Sequence, residues 1–245
     1  MPGNGVFRVG LIVPSSNTTM EVDFHRTLPE GVEVATSRMF LENTTKDEEI
    51  RMIEDSLPEA ARTLRTAKPA LAVFGCTSGG SLFGRKYDRQ IQKNLEDATG
   101  AETITILSAL SEEFALLGAK RLIVLTPYVA ELTAAVRSAI EEEGFEVLFI
   151  RGMGIVENTR IGSLRGEEIL AFARDSIPAS LPAEADCLFF SCTNLPAVRA
   201  LPLLRPAYPG LPIMTSNLAA IQAVRRRFEA AGAPAASGGR SGKRA

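Results

Sequence analysis

The feature that most constrains this chain is that its second half repeats its first. RVGLIVP at Arg8–Pro14 returns as RLIVLTP at Arg121–Pro127, and LAVFGCTSGG at Leu71–Gly80 returns as CLFFSCTNLP at Cys187–Pro196. TILS at Thr105–Ser108 has a counterpart in IMTS at Ile213–Ser216. The matches keep their order and a nearly constant offset, which is more than short apolar runs give by chance. Runs at Val9–Val13, Val32–Ser37, Leu71–Phe74, Thr103–Leu107, Leu122–Leu125, Glu146–Ile150, Cys187–Phe190 and Pro212–Met214 read as parallel strands buried on both faces, since half-exposed strands would alternate. Between them lie helical patterns. Asp47–Lys68 places Ile50, Ile53, Leu57, Ala61 and Leu64 at helical spacing, with Pro58 as a local disturbance. Val129–Glu143 does the same with Leu132, Val136 and Ile140, and Gly144 is placed to end it.

Strand–helix alternation carried through twice predicts an α/β protein made of two pseudo-symmetric, Rossmann-like halves with parallel sheets and the active site in the cleft between them. The halves are expected at residues 1–115 and 116–230, with a C-terminal helix able to cross back onto the first. The segment 231–245, poor in bulky apolar residues and rich in Gly, Ala, Ser and basic residues, is expected to be disordered.

Composition narrows the function classes. With 27 Lys+Arg against 29 Asp+Glu there is no basic patch to favour nucleic acid or an anionic membrane. The apolar stretch after Val9 is too short for a signal peptide and far short of the about 18 residues a membrane helix needs. A cytoplasmic protein is expected, and its 3 cysteines then read as free thiols.

In open parallel sheets ligands bind beyond the carboxyl ends of the strands. Four predicted strand ends break into polar loops: PSSNTT at Pro14–Thr19, CTSGG at Cys76–Gly80, TPY at Thr126–Tyr128 and CTN at Cys192–Asn194. The repeat puts Cys76 and Cys192 at equivalent positions, so a two-fold relation would aim both thiols into one cleft from opposite sides. That suits chemistry with one acid–base group on each face of a carbon. Such thiols are expected to have lowered pKa values, through nearby donors and helix N-termini. The competing reading is that each is a small buried hydrophobe, the commoner fate of a free cysteine. Cys187 lies an odd number of positions before Cys192, which sends it to the other face of the strand in a structural role. The single histidine, His25, lies in an amphipathic helix and there is no CxxC, so neither a zinc site nor a hydrolytic triad is supported. No GxGxxG or GxxxxGK[ST] follows a strand, and no nucleotide cofactor is implied.

PSSNTTME at Pro14–Glu21, GCTSGG at Gly75–Gly80, TPY, ENTRIG at Glu157–Gly162, SCTNLP at Ser191–Pro196 and TSNLAA at Thr215–Ala220 together resemble the aspartate/glutamate racemase superfamily. The nearest likeness is to its maleate cis–trans isomerase and arylmalonate decarboxylase branch, from Val9 to about Phe228. The resemblance implies cofactor-independent, metal-free chemistry on a small carboxylic acid by a homo-oligomer. It assigns Cys76 as the nucleophile that adds to an alkene and Cys192 as its acid–base partner. It also implies substrate carboxylates held by Asn17 of the first loop, by Tyr128 and by Asn158; Ser16 of the same loop, and Thr77, Ser78, Thr193 and Asn194 beside the two cysteines, are further expected to bind substrate. Arylmalonate decarboxylases carry glycine at the first cysteine position, where this chain has Cys76. Amino-acid racemases read Cys-Asn-Thr and Cys-Thr-Glu, where this chain reads Cys-Thr-Ser and Cys-Thr-Asn. Maleate isomerase-like chemistry is therefore the leading expectation. An aspartate/glutamate-type racemase, an arylmalonate decarboxylase-like enzyme and a non-catalytic small-acid binding protein are the alternatives.

Overall fold

The computed structural model describes residues 6–232. The expected disordered tail, apart from Ala231 and Gly232, lies outside the described residues.

The first half runs β1 (Phe7–Pro14), α1 (Met20–Thr27), β2 (Val32–Met39), α2 (Lys46–Arg51), α3 (Leu57–Arg65), β3 (Leu71–Phe74), α4 (Thr77–Ser81), α5 (Gly84–Thr99), β4 (Glu102–Thr105) and α6 (Ile106–Leu117). The second runs β5 (Arg121–Thr126), α7 (Ala130–Glu142), β6 (Glu146–Gly152), α8 (Asn158–Gly162), α9 (Gly166–Ser176), β7 (Cys187–Phe190), α10 (Ala197–Ala207), β8 (Ile213–Thr215) and α11 (Ser216–Ala230). Each half is a four-stranded sheet, ordered β2-β1-β3-β4 and β6-β5-β7-β8, and every pairing is parallel. The two orders are the same topology, as the repeat requires. The inner strands are almost wholly buried, while β2 and β6 at the sheet edges are half-exposed and correspondingly less apolar.

Two readings are corrected. The strand expected at Thr103–Leu107 stops at Thr105, whose hydroxyl accepts from the Ser108 N–H in a capping box that opens α6. Thr215 ends β8 and caps α11 in the same way, so Thr105 pairs with Thr215 and the TILS/IMTS match is shifted by two positions. The single helix expected at Asp47–Lys68 is three pieces, because a π-turn at Met52–Ser56 separates α2 from α3. Pro58 has no N–H to continue the ladder, and Leu57 donates instead to the Met52 carbonyl across a widened turn. This turn buries Met52 and Ile53.

The halves are locked by helices that cross between them. α11 leaves the second sheet to pack on α6 and α1, and α7 packs on α4 and α5. Arg226 and Arg227 of α11 pair with Glu112 and Glu113 of α6. The two arginines hold the Glu112 carboxyl at about 2. No helix of the described residues is long and apolar enough to cross a membrane.

Candidate active site

β1, β3, β5 and β7 deliver their C-terminal loops to one region at the junction of the halves. Asn17, Cys76, Thr77, Ser78, Tyr128, Asn158, Cys192, Thr193 and Asn194 are all buried there, and Ser16 is partly exposed. Asn17 Oδ1 accepts from the Thr19 and Met20 N–H groups at 3.0 Å each, capping the start of α1, while its Nδ2 donates to Thr193 Oγ1 at 3.0 Å. Thr193 Oγ1 in turn donates to the Gly75 carbonyl at 3.0 Å. Asn158 Nδ2 donates to Ser16 Oγ at 2.8 Å. Asn194 accepts from the Thr18 N–H at 2.8 Å and donates to the Asn158 backbone and side-chain oxygens at 2.7 and 3.1 Å. Asn194 is thus spent as a strut between loops, whereas the Asn17 amide keeps one N–H without a partner among the described residues.

Two residues that the sequence reading did not single out join the site. Ser216, the first residue of α11, accepts from Thr77 Oγ1 at 2.9 Å and from the Cys192 N–H at 3.0 Å, so one hydroxyl ties both cysteine loops together. Glu49 of α2 is fully buried, and its Oε1 accepts a short hydrogen bond from Ser78 Oγ. The signal for Glu49 was a carboxylate one helical turn before Ile53, on the face that carries the apolar residues of that segment. For Ser216 it was the hydroxyl following the shared strand-end threonine.

The two thiols sit in different surroundings. Cys76 follows β3 in extended conformation, with φ −138° and ψ 110°. Its sulfur lies 3.9 Å from Ser78 Oγ, and the neighbouring Gly79 N–H favours its charged form. A Cβ added at Gly79 would stand 3.1 Å from that sulfur and 3.2 Å from Ile53 Cδ1, so glycine gives Cys76 and the π-turn room to pack closely. Cys192 has φ 127°, a left-handed strain of order 1–3 kcal/mol in a non-glycine residue. Its sulfur accepts from the Asn194 N–H at 3.3 Å, and the neighbouring Leu195 N–H and Tyr128 hydroxyl favour its charged form.

The expected lowering of the thiol pKa values is corrected. Burial pushes Cys192 up to about 11 despite these donors. Cys76 is raised well above the usual thiol range by burial first and the Glu49 carboxylate second. Both therefore rest as thiols at neutral pH. Cys187, wholly buried at the start of β7, is pushed to about 12 by burial, and His25 is exposed on α1.

The family model for arylmalonate decarboxylase matches residues 9–240. The chain belongs to the arylmalonate decarboxylase family. Within reach of that family it is 31% identical to the maleate isomerase of Pseudomonas putida, over 91% of this chain and 92% of that protein. It is 28% identical to the maleate isomerase of Nocardia farcinica, over 92% and 91%. Its fold superposes on the crystal structure of a cysteine-to-alanine variant of the maleate isomerase Iso from Pseudomonas putida S16 with maleate. The TM-score is 0.84 at 26% identity, covering 91% of this chain and 92% of that one. The doubled α/β architecture is thus that of the maleate isomerases.

Proposed function

We propose that this family member is a cofactor-independent cis–trans isomerase of a small unsaturated dicarboxylate, converting maleate to fumarate. The observation that carries the reading is the pair of buried thiols at matching positions of the two halves, their loops tied together through the Ser216 hydroxyl. The likeness to maleate isomerases supports the choice of substrate.

In this reading the Cys76 sulfur, once deprotonated, bonds to one alkene carbon while the π pair moves to the other, which takes the proton of Cys192. Rotation about the new single bond follows. Cys192, now a thiolate, recovers that proton as the C–S bond breaks, so nothing is consumed. A thiol held up near 11 suits the proton donor, and the Tyr128 hydroxyl and the Asn194 and Leu195 N–H groups stabilise the transient Cys192 thiolate. The spare N–H of Asn17, the amide of Asn158 and the backbone near Thr77 and Thr193 are left to hold the carboxylates, since the Tyr128 hydroxyl serves Cys192. None of these donors is charged, which suits preorganised stabilisation of charge that moves during addition. Free thiols and the family resemblance are what support a cytoplasmic homo-oligomer.

Proton NMR in deuterated water, run separately on maleate, aryl- and alkylmalonates and single enantiomers of aspartate and glutamate, tests the reading. Conversion of the cis alkene to the trans acid without loss of carbon is expected. Turnover of a malonate alone with release of carbon dioxide, or deuterium entering only the α-position of an amino acid, overturns it. Silence across the panel leaves the binding-protein reading in its place.

A further inference from the structure

A nucleophilic cysteine in this site lacks an obvious base. Burial holds Cys76 protonated, the single histidine of the chain is exposed on α1, and the donors around Cys192 stabilise a charge there, not at Cys76. What stands beside Cys76 is a carboxylate. Glu49 Oε1 takes the Ser78 hydroxyl hydrogen, and Ser78 Oγ is 3.9 Å from the Cys76 sulfur. When Glu49 is ionised the Ser78 hydrogen goes to the carboxylate, which leaves the thiol as the donor between Cys76 and Ser78. The chain of donors then runs in one direction, from sulfur to hydroxyl to carboxylate.

We propose that Glu49, acting through the Ser78 hydroxyl, is the proton acceptor that turns Cys76 into a nucleophile. The proposal rests on Cys76 being the residue that adds to substrate. As the Cys76 S–H proton passes to Ser78 Oγ, the Ser78 proton passes to Glu49 Oε1. A thiolate, an unchanged serine hydroxyl and a neutral carboxylic acid result, with charge conserved. When the C–S bond breaks, sulfur leaves with the bonding pair and the relay runs backwards. Glu49 never touches the reacting carbons and is a positioning residue for the proton.

Its surroundings fit a group that cycles between two protonation states better than a static strut. Glu49 is wholly buried, yet among the described residues Ser78 is the one hydrogen-bond partner of its carboxylate and Oε2 has none. A permanently ionised buried carboxylate would be expected to collect a cation or several N–H donors. Among the described residues neither is present: the titratable groups that feel Glu49 are Cys76, Cys192, Tyr128 and Tyr87, and none is cationic. Lys46, on the same helix, pairs with Glu131, and Glu48 is held by Asn43. Complete burial raises the Glu49 carboxyl to about 8, which brings it towards the thiol it must deprotonate.

The test compares the wild type with Glu49→Gln and Ser78→Ala across pH. Glutamine keeps the size and can still accept from Ser78, but it cannot take a proton. In the wild type kcat should rise with pH and level off at a midpoint of about 8, where Glu49 is ionised. In Glu49→Gln kcat at pH 8 should fall on the order of 100-fold or more, the usual effect of losing a general base, with little change in KM. The variant's rate should keep climbing with pH, because hydroxide must then ionise Cys76. Ser78→Ala leaves the carboxylate in place and should show the same loss and the same unlevelled profile. It carries the test if Glu49→Gln does not fold. The double variant should be no worse than either single one, since the residues act as one relay.

Iodoacetamide labelling of Cys76, located by mass spectrometry across the same pH range, gives a readout independent of substrate. If the wild type turns over none of the proposed substrates, the isomerase reading fails while the labelling profile still tests the relay. A variant profile that levels at the wild-type midpoint, or Cys76 reacting faster in Glu49→Gln at every pH, overturns the proposal. The second result would make Glu49 only a charge that suppresses the thiolate.

Discussion

The first and second cysteine loops hold equivalent places in the two halves, and the structure makes them unlike. Both follow an inner strand of the same four-stranded topology, and both read Cys-Thr. Around Cys76 the backbone is extended, a short helix follows, and the nearest polar side chains are a serine backed by a buried carboxylate. Around Cys192 the backbone is strained to positive φ, and the sulfur faces a phenol and two N–H groups. A carboxylate beside a thiol can take its proton, whereas a phenol and amides beside a thiol stabilise the charge it leaves. Equivalent placement thus supplied two thiols, and unequal neighbours allow one to attack and the other to donate.

The largest expected effects test whether both loops are needed. Cys76→Ala and Cys192→Ala should each lower kcat by 10² or more in a steady-state assay, with circular dichroism unchanged. Cys187→Ala should leave kcat within a few-fold of wild type. The asymmetry appears under mass spectrometry: with maleate present, a covalent adduct is expected on Cys76 in the Cys192 variant and none on Cys192 in the Cys76 variant. An adduct on Cys192 instead would reverse the roles.

The buried acid of the first loop should leave a mark on stability. Glu49 is raised from 4.5 to about 8 on folding, so the folded state binds this proton more tightly. The contribution is fully present below about pH 4 and is lost as pH rises through about 8. Urea titrations should find Glu49→Gln gaining on the wild type by a few kcal/mol between those limits. An unchanged pH slope would show that Glu49 is not the buried acid described.

Tyr128→Phe acts on the second loop alone. Losing a hydroxyl donor to a developing thiolate should lower kcat on the order of 10-fold, while labelling of Cys76 stays unchanged. A matching loss of Cys76 labelling would mean that the two loops do not function separately.

The smallest expected effect concerns the backbone. Glycine tolerates φ 127° and alanine does not, so Cys192→Gly should be more stable than Cys192→Ala by about 1 kcal/mol in denaturant. At Cys76, where φ is −138°, the order should reverse, because glycine only adds freedom to the unfolded chain. Equal values at both positions would remove the strain from the comparison.

Much of this was written in the chain. Apolar runs bounded by turns, repeated in the same order, determine a doubled parallel α/β fold, because a strand buried on both faces must be apolar throughout and a two-fold repeat must fold twice. The same repeat singles out Cys76 and Cys192 as a pair. Three things depended on tertiary packing. Complete burial, not the nearby donors, governs the thiols and raises them, and no local pattern records how much protein will cover a side chain. The π-turn at Met52–Ser56 looked like a continuous amphipathic helix, since apolar spacing does not report a widened turn. Glu49 and Ser216 reach the site from α2 and α11, elements distant in sequence from both cysteines, and only the packing of the two halves puts a carboxylate behind one thiol and a shared hydroxyl between the two loops.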